Sequence, residues 1–212
     1  MPLTIDITSD TVCPWCFVGK RRLEQALDAR ANADKPSIRW FPFQLDPHVP
    51  QSGVPLKQYL AGKFGPRERW QPMLDRLAGV GAECGISFAW DRIDVRPNSI
   101  DSHRVIRWAA EAGLQDEVVE AIFVAYWEQA RDIGSAAVLA ELAGDAGMDA
   151  NDVARRLASD ADRATVLSDA LDAGSRGITG VPDFVVGNKF RLVGAQPPYY
   201  FERALQRVAA TS

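Results

Sequence analysis

Two of the three cysteines in this 212-residue chain lie close together, in the segment Cys13-Pro14-Trp15-Cys16. Their spacing puts both sulfur atoms on one side of a helical turn, near enough to close a small disulfide ring. A Cys-x-x-Cys pair beside a strand–helix–strand pattern is a signature of thiol–disulfide exchange. The segment therefore predicts a redox-active pair.

The two thiols have different surroundings in the sequence. Cys13 comes at or just before the start of a predicted helix, where free N–H groups and the helix dipole favour an anion. We therefore expect Cys13 to be the thiolate that attacks a substrate disulfide. Cys16 lies between Trp15 and Phe17, so we expect it to be the buried thiol that resolves the mixed disulfide. Pro14 restricts the loop and helps to start the helix.

The cysteine pair has two alternative uses, as half of a metal site or as plain packing. A structural zinc site needs two more ligands at suitable spacing. The remaining candidates, Cys84, His48 and His103, are scattered along the chain, so we expect no metal. Cys84 has no partner close in sequence and is interpreted as a small buried apolar residue.

Hydrophobic periodicity predicts the elements that position the pair. Residues 3–7 alternate as a strand does, a helix follows from Cys16, and the aromatic-rich segment 37–43 predicts a second strand. The two strands of such a unit run parallel. The helix is expected to end between residues 32 and 36. Residues 44–55, with three prolines and a glycine, predict a loop.

The middle of the chain, residues 56–176, has the period of helices and no predicted strand. Its apolar stripes are expected to face a core, and the last of them consists of Ala164, Leu167, Ala170 and Leu171. Strands return at residues 183–186 and 189–193, joined by a Gly187-Asn188 hairpin turn, and a final helix follows.

Joining the two ends gives an α/β fold with a mixed four-stranded sheet and a large helical insertion. The predicted parts are residues 1–50, with the cysteine pair, residues 51–176, the insertion, and residues 177–212, with a Val-Pro turn.

The composition of the chain limits the classes of partner and the cellular location that we expect. A net charge of −4 and a pI near 5.3 offer no basic surface for phosphates, so nucleic acid is not an expected partner. No apolar run approaches the ~20 residues of a membrane helix, and the first ten residues lack a secretory pattern. We expect a cytoplasmic protein without membrane association, in which a disulfide would be transient and catalytic.

Five segments resemble the DsbA-like thioredoxin-fold oxidoreductases, in the FrnE-like branch, which is related to 2-hydroxychromene-2-carboxylate isomerases and kappa-class glutathione transferases. In order they are SDTVCPWCFVGKRRLEQAL (9–27), WFPFQLDP (40–47), RPNSIDSHR (96–104), GITGVPDFVV (177–186) and VGAQPPYYFERAL (193–205). The resemblance implies a thioredoxin fold interrupted by an all-helical domain. It also implies a cis peptide bond before Pro182, which packs beside the cysteines and leaves the Val181 backbone to pair with an extended substrate. Otherwise Pro182 merely begins a strand.

The resemblance adds Asn98 and His103 to the candidate substrate-binding residues. The imidazole of His103 could stabilise the thiolate or shuttle a proton, or its own neighbours in the helix could satisfy it. Asn98 could instead cap the helix that begins near Ser99. Three tryptophans are candidates to line a substrate groove: Trp15, Trp40 and Trp90. Trp15 is the foremost candidate, because it lies in the active-site loop.

The predicted function is that of a protein disulfide oxidoreductase or isomerase, with protein or small-molecule thiols and disulfides as substrates. No bound cofactor is expected, and glutathione is a candidate co-substrate. One alternative is a glutathione-dependent isomerase or transferase, although relatives with that chemistry usually carry serine in place of Cys13. The other is a redox-sensing module that holds client proteins on its helical domain.

Overall fold

The N-terminal part forms the predicted strand–helix–strand unit. Strand β1 spans Thr4–Ser9, helix α1 spans Pro14–Asp28 and strand β2 spans Ser37–Pro42. The strands are parallel. The structure, a computed structural model, describes residues 3–28 and 36–210. The predicted end of the first helix, at residues 32–36, lies almost wholly outside the described residues.

Seven helices and two short strands form the insertion. In chain order they are β3 (Val54–Pro55), α2 (Leu56–Phe64), α3 (Arg67–Glu83), β4 (Val95–Arg96), α4 (Ile100–Ala112), α5 (Gln115–Trp127), α6 (Ala136–Asp145), α7 (Ala150–Leu157) and α8 (Arg163–Ser175). Strands β3 and β4 pair antiparallel. The prediction that residues 56–176 contain helices alone was therefore wrong at β4, and the prediction of a loop up to residue 55 was wrong at β3. A strand of two residues is too short to reveal itself by alternation.

Helix α8 turns a different face to the core from the one predicted. Val166, Ala170 and Ala173 are buried, whereas Leu167 is 37% exposed and Leu171 is 73% exposed. The helix packs against α4 and β2. The prediction of a core stripe through the two leucines was therefore wrong, because these two neighbours decide which face of α8 is covered.

The C-terminal part completes the sheet. Strand β5 spans Asp183–Val186, β6 spans Phe190–Val193 and α9 spans Pro198–Ala209. The strand order is β2-β1-β5-β6, with β5 antiparallel to β1 and to β6. Positive φ angles of 59° and 56° at Gly187 and Asn188 suit the predicted hairpin turn. The predicted α/β fold, a mixed four-stranded sheet with a helical insertion, is confirmed.

One apolar core runs from the sheet into the insertion. Ile7 of β1, Phe17 of α1 and Phe123 of α5 are all fully buried members of it. The rings of Phe17 and Phe123 stack with centroids 5.2 Å apart. Within the described residues, no helix combines the length and apolar composition needed to cross a membrane.

We predict that Phe123→Ala lowers the free energy of unfolding by about 3–5 kcal/mol, because it opens a cavity against helix α1. Urea unfolding followed by circular dichroism measures the change. Leu171→Ala is the control, since a mostly exposed leucine should change stability by no more than about 0.5 kcal/mol. Equal losses in both variants would contradict a core shared between sheet and insertion.

Candidate active site

The cysteine pair lies where β1 passes into α1. Strand β1 ends at Ser9 and α1 begins at Pro14, so Cys13 immediately precedes the helix and Cys16 lies in its first turn. The amide of Cys13 donates to the carbonyl of Asp10, and the amide of Cys16 donates to the carbonyl of Cys13, both at 3.0 Å. These two bonds form the turn that starts the helix.

Both thiols are free and both are buried, Cys13 with 4% and Cys16 with 1% of its surface exposed. Burial raises the pKa of Cys16 well above its ordinary value. A hydrogen bond and a charge interaction with Cys13 raise it further, whereas the Ser9 hydroxyl and the Asp10 backbone lower it. Cys16 therefore keeps its proton in the reduced protein.

The Val181–Pro182 peptide bond is cis and lies beside the pair. The thiol of Cys13 donates to the carbonyl oxygen of Val181, with a sulfur–oxygen distance of 3.7 Å. None of the hydrogen bonds among residues 3–28 and 36–210 uses the amide of Val181. The structure thus places the Val-Pro turn against the sulfur of Cys13, as the family resemblance implied.

Gly19 of α1 permits this close approach. A Cβ atom at position 19 would lie 2.9 Å from Cγ of Pro182 and 3.0 Å from the ring of Phe184. Both distances are too short for ordinary carbon–carbon contacts, which begin near ~3.5 Å. Sequence reasoning passed over Gly19, although a glycine inside a helix is itself a signal of close packing.

The buried side chain of Asp10 holds the loop before the cysteines. Its buried carboxylate accepts hydrogen bonds from the amides of Val12 (3.3 Å) and Leu45 (2.8 Å) and lies 3.6 Å from Nε2 of His103. Burial alone would raise the pKa of Asp10, but the hydrogen bond and charge of His103, the charge of Arg96 and the Leu45 amide together lower it below the ordinary value. Asp10 is therefore ionised.

The insertion holds the same loop through three further side chains. Arg96 donates from Nη1 to the carbonyl of Val12. The hydroxyl of Ser102 lies 2.8 Å from that of Thr11, and the indole of Trp127 donates to the Thr11 carbonyl at 3.2 Å. The helical insertion is thus part of the active-site scaffold.

Sequence reasoning missed these residues and Asp10 as well. Asp10, Arg96 and Ser102 lie within segments that carry the family resemblance, which was the available signal. Their partners lie far away in the sequence, so spacing alone could not pair them.

His103 and Asn98 have different surroundings from each other. Nε2 of His103 lies 3.1 Å from the carbonyl oxygen of Phe43, so the imidazole is held by another part of the chain rather than by its own helix. The side chain of Asn98 accepts from the Ile100 amide at 3.0 Å and donates to the Val49 carbonyl at 2.7 Å. Asn98 therefore satisfies the first amide of α4, although the N-cap position itself is held by Ser99.

Two of the three tryptophan candidates are held by contacts inside the fold, and the third remains a candidate for substrate contact. Trp40 is buried, and its indole donates to Asp116 at 3.0 Å. Trp90 stacks on Phe88 with centroids 5.0 Å apart. Trp15 is half-buried in the first turn of α1, between the two cysteines, and stays the candidate for substrate contact. Cys84 is buried at the end of α3, as interpreted from the sequence.

The sheet order, the helix that follows β1 and two free thiols beside a cis X-Pro turn define a thioredoxin fold. Residues 4–206 match the family described as DSBA-like thioredoxin domain. The chain belongs to this family, which is one of thiol–disulfide oxidoreductases.

Individual relatives agree with the assignment. The structure of the probable DsbA oxidoreductase SCO1869 from Streptomyces coelicolor matches with a TM-score of 0.90 and 32% identity, over 99% of this chain and 91% of that one. The protein YwbO of Bacillus subtilis (strain 168) is 26% identical over 213 residues, 97% of this chain and 96% of its own length. A 2-hydroxychromene-2-carboxylate isomerase shares the fold, with a TM-score of 0.69 and 19% identity over 98% and 97% of the two chains. The membership of the DsbA-like family expected from the sequence is confirmed.

We predict that Gly19→Ala destabilises the protein by about 1–3 kcal/mol, because the added methyl group overlaps Pro182 and Phe184. Gly79→Ala is the matched control: it is also a helical glycine, but a Cβ there meets nothing within 4 Å. That change should stabilise the protein by up to about 1 kcal/mol through helix propensity. Thermal or urea unfolding of both variants measures the difference, and a stabilising Gly19→Ala would contradict the close contact.

We predict that the contribution of Asp10 to stability depends on pH. Because folding lowers the pKa of Asp10, its contribution is complete above the unfolded value, about pH 4, and is lost as the pH falls through the lower folded value. Asp10→Asn should therefore cost about 2 kcal/mol or more at pH 7, and the cost should shrink below pH 4. Urea unfolding at both pH values tests this, with Asp160→Asn, whose side chain is 95% exposed, as the control. An equal cost at both pH values would contradict the prediction.

Proposed function

We propose that the protein exchanges disulfides through Cys13 as the attacking thiol and Cys16 as the resolving thiol. The observation that carries the proposal is the position of the Cys13 sulfur, at the start of α1 and 3.7 Å from the Val181 carbonyl. A thiol at a helix start is favoured as thiolate. Cys16, one turn further on and fully enclosed, is positioned to attack the Cys13 sulfur once that sulfur is part of a mixed disulfide.

Two displacements make up the reaction. The Cys13 thiolate attacks one sulfur of a substrate disulfide, the substrate bond breaks, and the departing sulfur takes the electron pair and a proton. Cys16 then loses its proton and attacks the Cys13 sulfur, which releases the second substrate thiol and leaves a Cys13–Cys16 disulfide. The substrate gains two electrons and the pair loses two. The reverse sequence oxidises a dithiol.

The Val181 backbone is proposed to hold the substrate. Its amide has no partner among the described residues, so it can donate to an extended peptide or to the backbone of glutathione. Pro14, Trp15 and Pro182 would supply the surrounding contact surface. The substrates are thus protein or small-molecule thiols and disulfides, with glutathione as a co-substrate rather than a bound cofactor.

The direction of electron flow depends on the reduction potential of the pair. A value near −120 mV is typical of a strong oxidant and one near −270 mV of a reductant. We propose that the protein works in the cytoplasm, where thiols are kept reduced and such a disulfide is transient.

We predict that Cys13→Ser lowers insulin reduction on the order of a hundredfold or more, because a serine hydroxyl is not a nucleophile toward disulfides. Cys16→Ser should accumulate a mixed disulfide at Cys13, which mass spectrometry of the trapped adduct detects. Cys84→Ala is the control, since this buried cysteine lies outside the pair, and it should retain full activity. Full activity in Cys13→Ser would overturn the proposal.

A further inference from the structure

The Val-Pro turn must be held in place if the Val181 amide is to meet a substrate backbone. The turn lies in the segment that connects α8, which ends at Ser175, to β5, which begins at Asp183. Within the described chain, no hydrogen bond uses the backbone amides of residues 179–181. A connecting segment with so few bonds of its own moves readily unless other elements anchor it.

Strand β6 and the residue after it supply such anchors. Nε of Arg191 donates to Oδ2 of Asp183 at 2.7 Å, and Nη2 of the same guanidinium donates to the carbonyl oxygen of Gly177 at 2.9 Å. The amide of Gly194 donates to the carbonyl of Pro182 at 2.7 Å. Because the donors of a guanidinium have fixed directions, Arg191 sets the separation between the two ends of the connecting segment.

The register of the sheet explains how one side chain reaches both ends. Arg191 lies opposite Val185, two residues beyond Asp183, and alternate residues of a strand share a face. Phe184, between them, points to the other face, where its ring packs against Phe201 of α9 with centroids 4.8 Å apart. The guanidinium and its two acceptors therefore lie on the face of β5 turned away from α9.

The Asp183 carboxylate holds the guanidinium in this position. The side chain of Asp183 is 1% exposed, whereas that of Arg191 is 39% exposed. Among residues 3–28 and 36–210, Arg191 is the only ion-pair partner of Asp183, and Oδ1 of the carboxylate has no hydrogen-bond partner there. A buried carboxylate that depends on one cation strongly favours the conformation in which the two meet. The same conformation brings Nη2 to Gly177.

We propose that Arg191 is a positioning residue of the proposed disulfide exchange, on which this inference rests. By joining Gly177 to Asp183, the guanidinium holds the Val181 amide where it can donate to the backbone carbonyl of an extended peptide. A small disulfide without a peptide backbone has no such carbonyl and needs only the Cys13 sulfur. Arg191 therefore favours peptide and protein disulfides over small ones.

The test compares two substrates with the reduced protein in a Cys84→Ala background. The first is a pair of short peptides joined by a disulfide, one with a fluorophore and the other with a quencher, so that fluorescence reports cleavage; dithiothreitol regenerates the reduced protein. The second is dithiobis(nitrobenzoate), which has no peptide backbone, and the first phase of its stopped-flow absorbance reports attack by Cys13.

Arg191→Lys is the informative variant. It keeps the charge that the buried Asp183 carboxylate needs, so we expect it to fold, but an ammonium cannot reproduce the two fixed donors of the guanidinium. The KM for the peptide should rise about five- to tenfold, the change expected for the loss of one hydrogen bond. The kcat should stay within twofold, as it does when binding alone is weakened. The rate with dithiobis(nitrobenzoate) should also stay within twofold.

Arg39→Lys is the matched control, because Arg39 also pairs with a carboxylate of a neighbouring strand, Asp6, but lies at the opposite edge of the sheet. It should leave both reactions unchanged. A peptide KM in Arg191→Lys within twofold of the parent, an equal loss with both substrates, or the same peptide-specific loss in Arg39→Lys would overturn the role of Arg191. A parent protein that reacts with neither substrate would instead overturn the proposed function.

Discussion

The buried charge of Asp10 is the constraint on which the active site depends. An ionised carboxylate away from water is tolerated only when hydrogen bonds and opposite charge surround it. Its partners come from three parts of the chain: the Val12 amide in the cysteine loop, the Leu45 amide after β2, and His103 in the insertion. The ionised state therefore requires all three parts to be in place together, which fixes the loop before Cys13.

Further contacts hold the helical insertion against the thioredoxin part. Lys20 of α1 is buried, and burial alone would lower its pKa, but Asp116, Glu120 and Glu24 together raise it, so the ammonium stays charged. Two of these carboxylates belong to α5 of the insertion. The Gln115 side chain also pairs with both the amide and the carbonyl of Trp40, which covers the outer edge of β2, where unpaired backbone groups would otherwise invite association. Ion pairs, edge pairing and the Phe17–Phe123 stack all join helix α1 and the sheet to one helical scaffold.

Local patterns predicted the local parts of this arrangement. The alternation before the cysteines, the hairpin at Gly187-Asn188 and the Cys13-to-Cys16 spacing each depend on neighbouring residues, and each led to the observed element. The contacts of Arg96 and His103 with the redox loop depend on how α4 and β4 dock, which periodicity does not encode. The exposed Leu171 makes the same point, since a stripe of leucines says that a face is apolar but not which neighbour covers it. The segment resemblance supplied the Val181–Pro182 turn, which no local pattern would have paired with Cys13.

Burial alone does not distinguish the two thiols, because both are almost fully enclosed. What differs is the environment of each sulfur. Cys13 faces the Val181 carbonyl, at the turn where a substrate backbone can bind, whereas burial and the neighbouring Cys13 raise the pKa of the Cys16 thiol. In the proposed mechanism, substrate sulfur therefore arrives at Cys13, and Cys16 keeps its proton until the mixed disulfide has formed. The order of the two displacements then follows from the different environments of the two sulfurs.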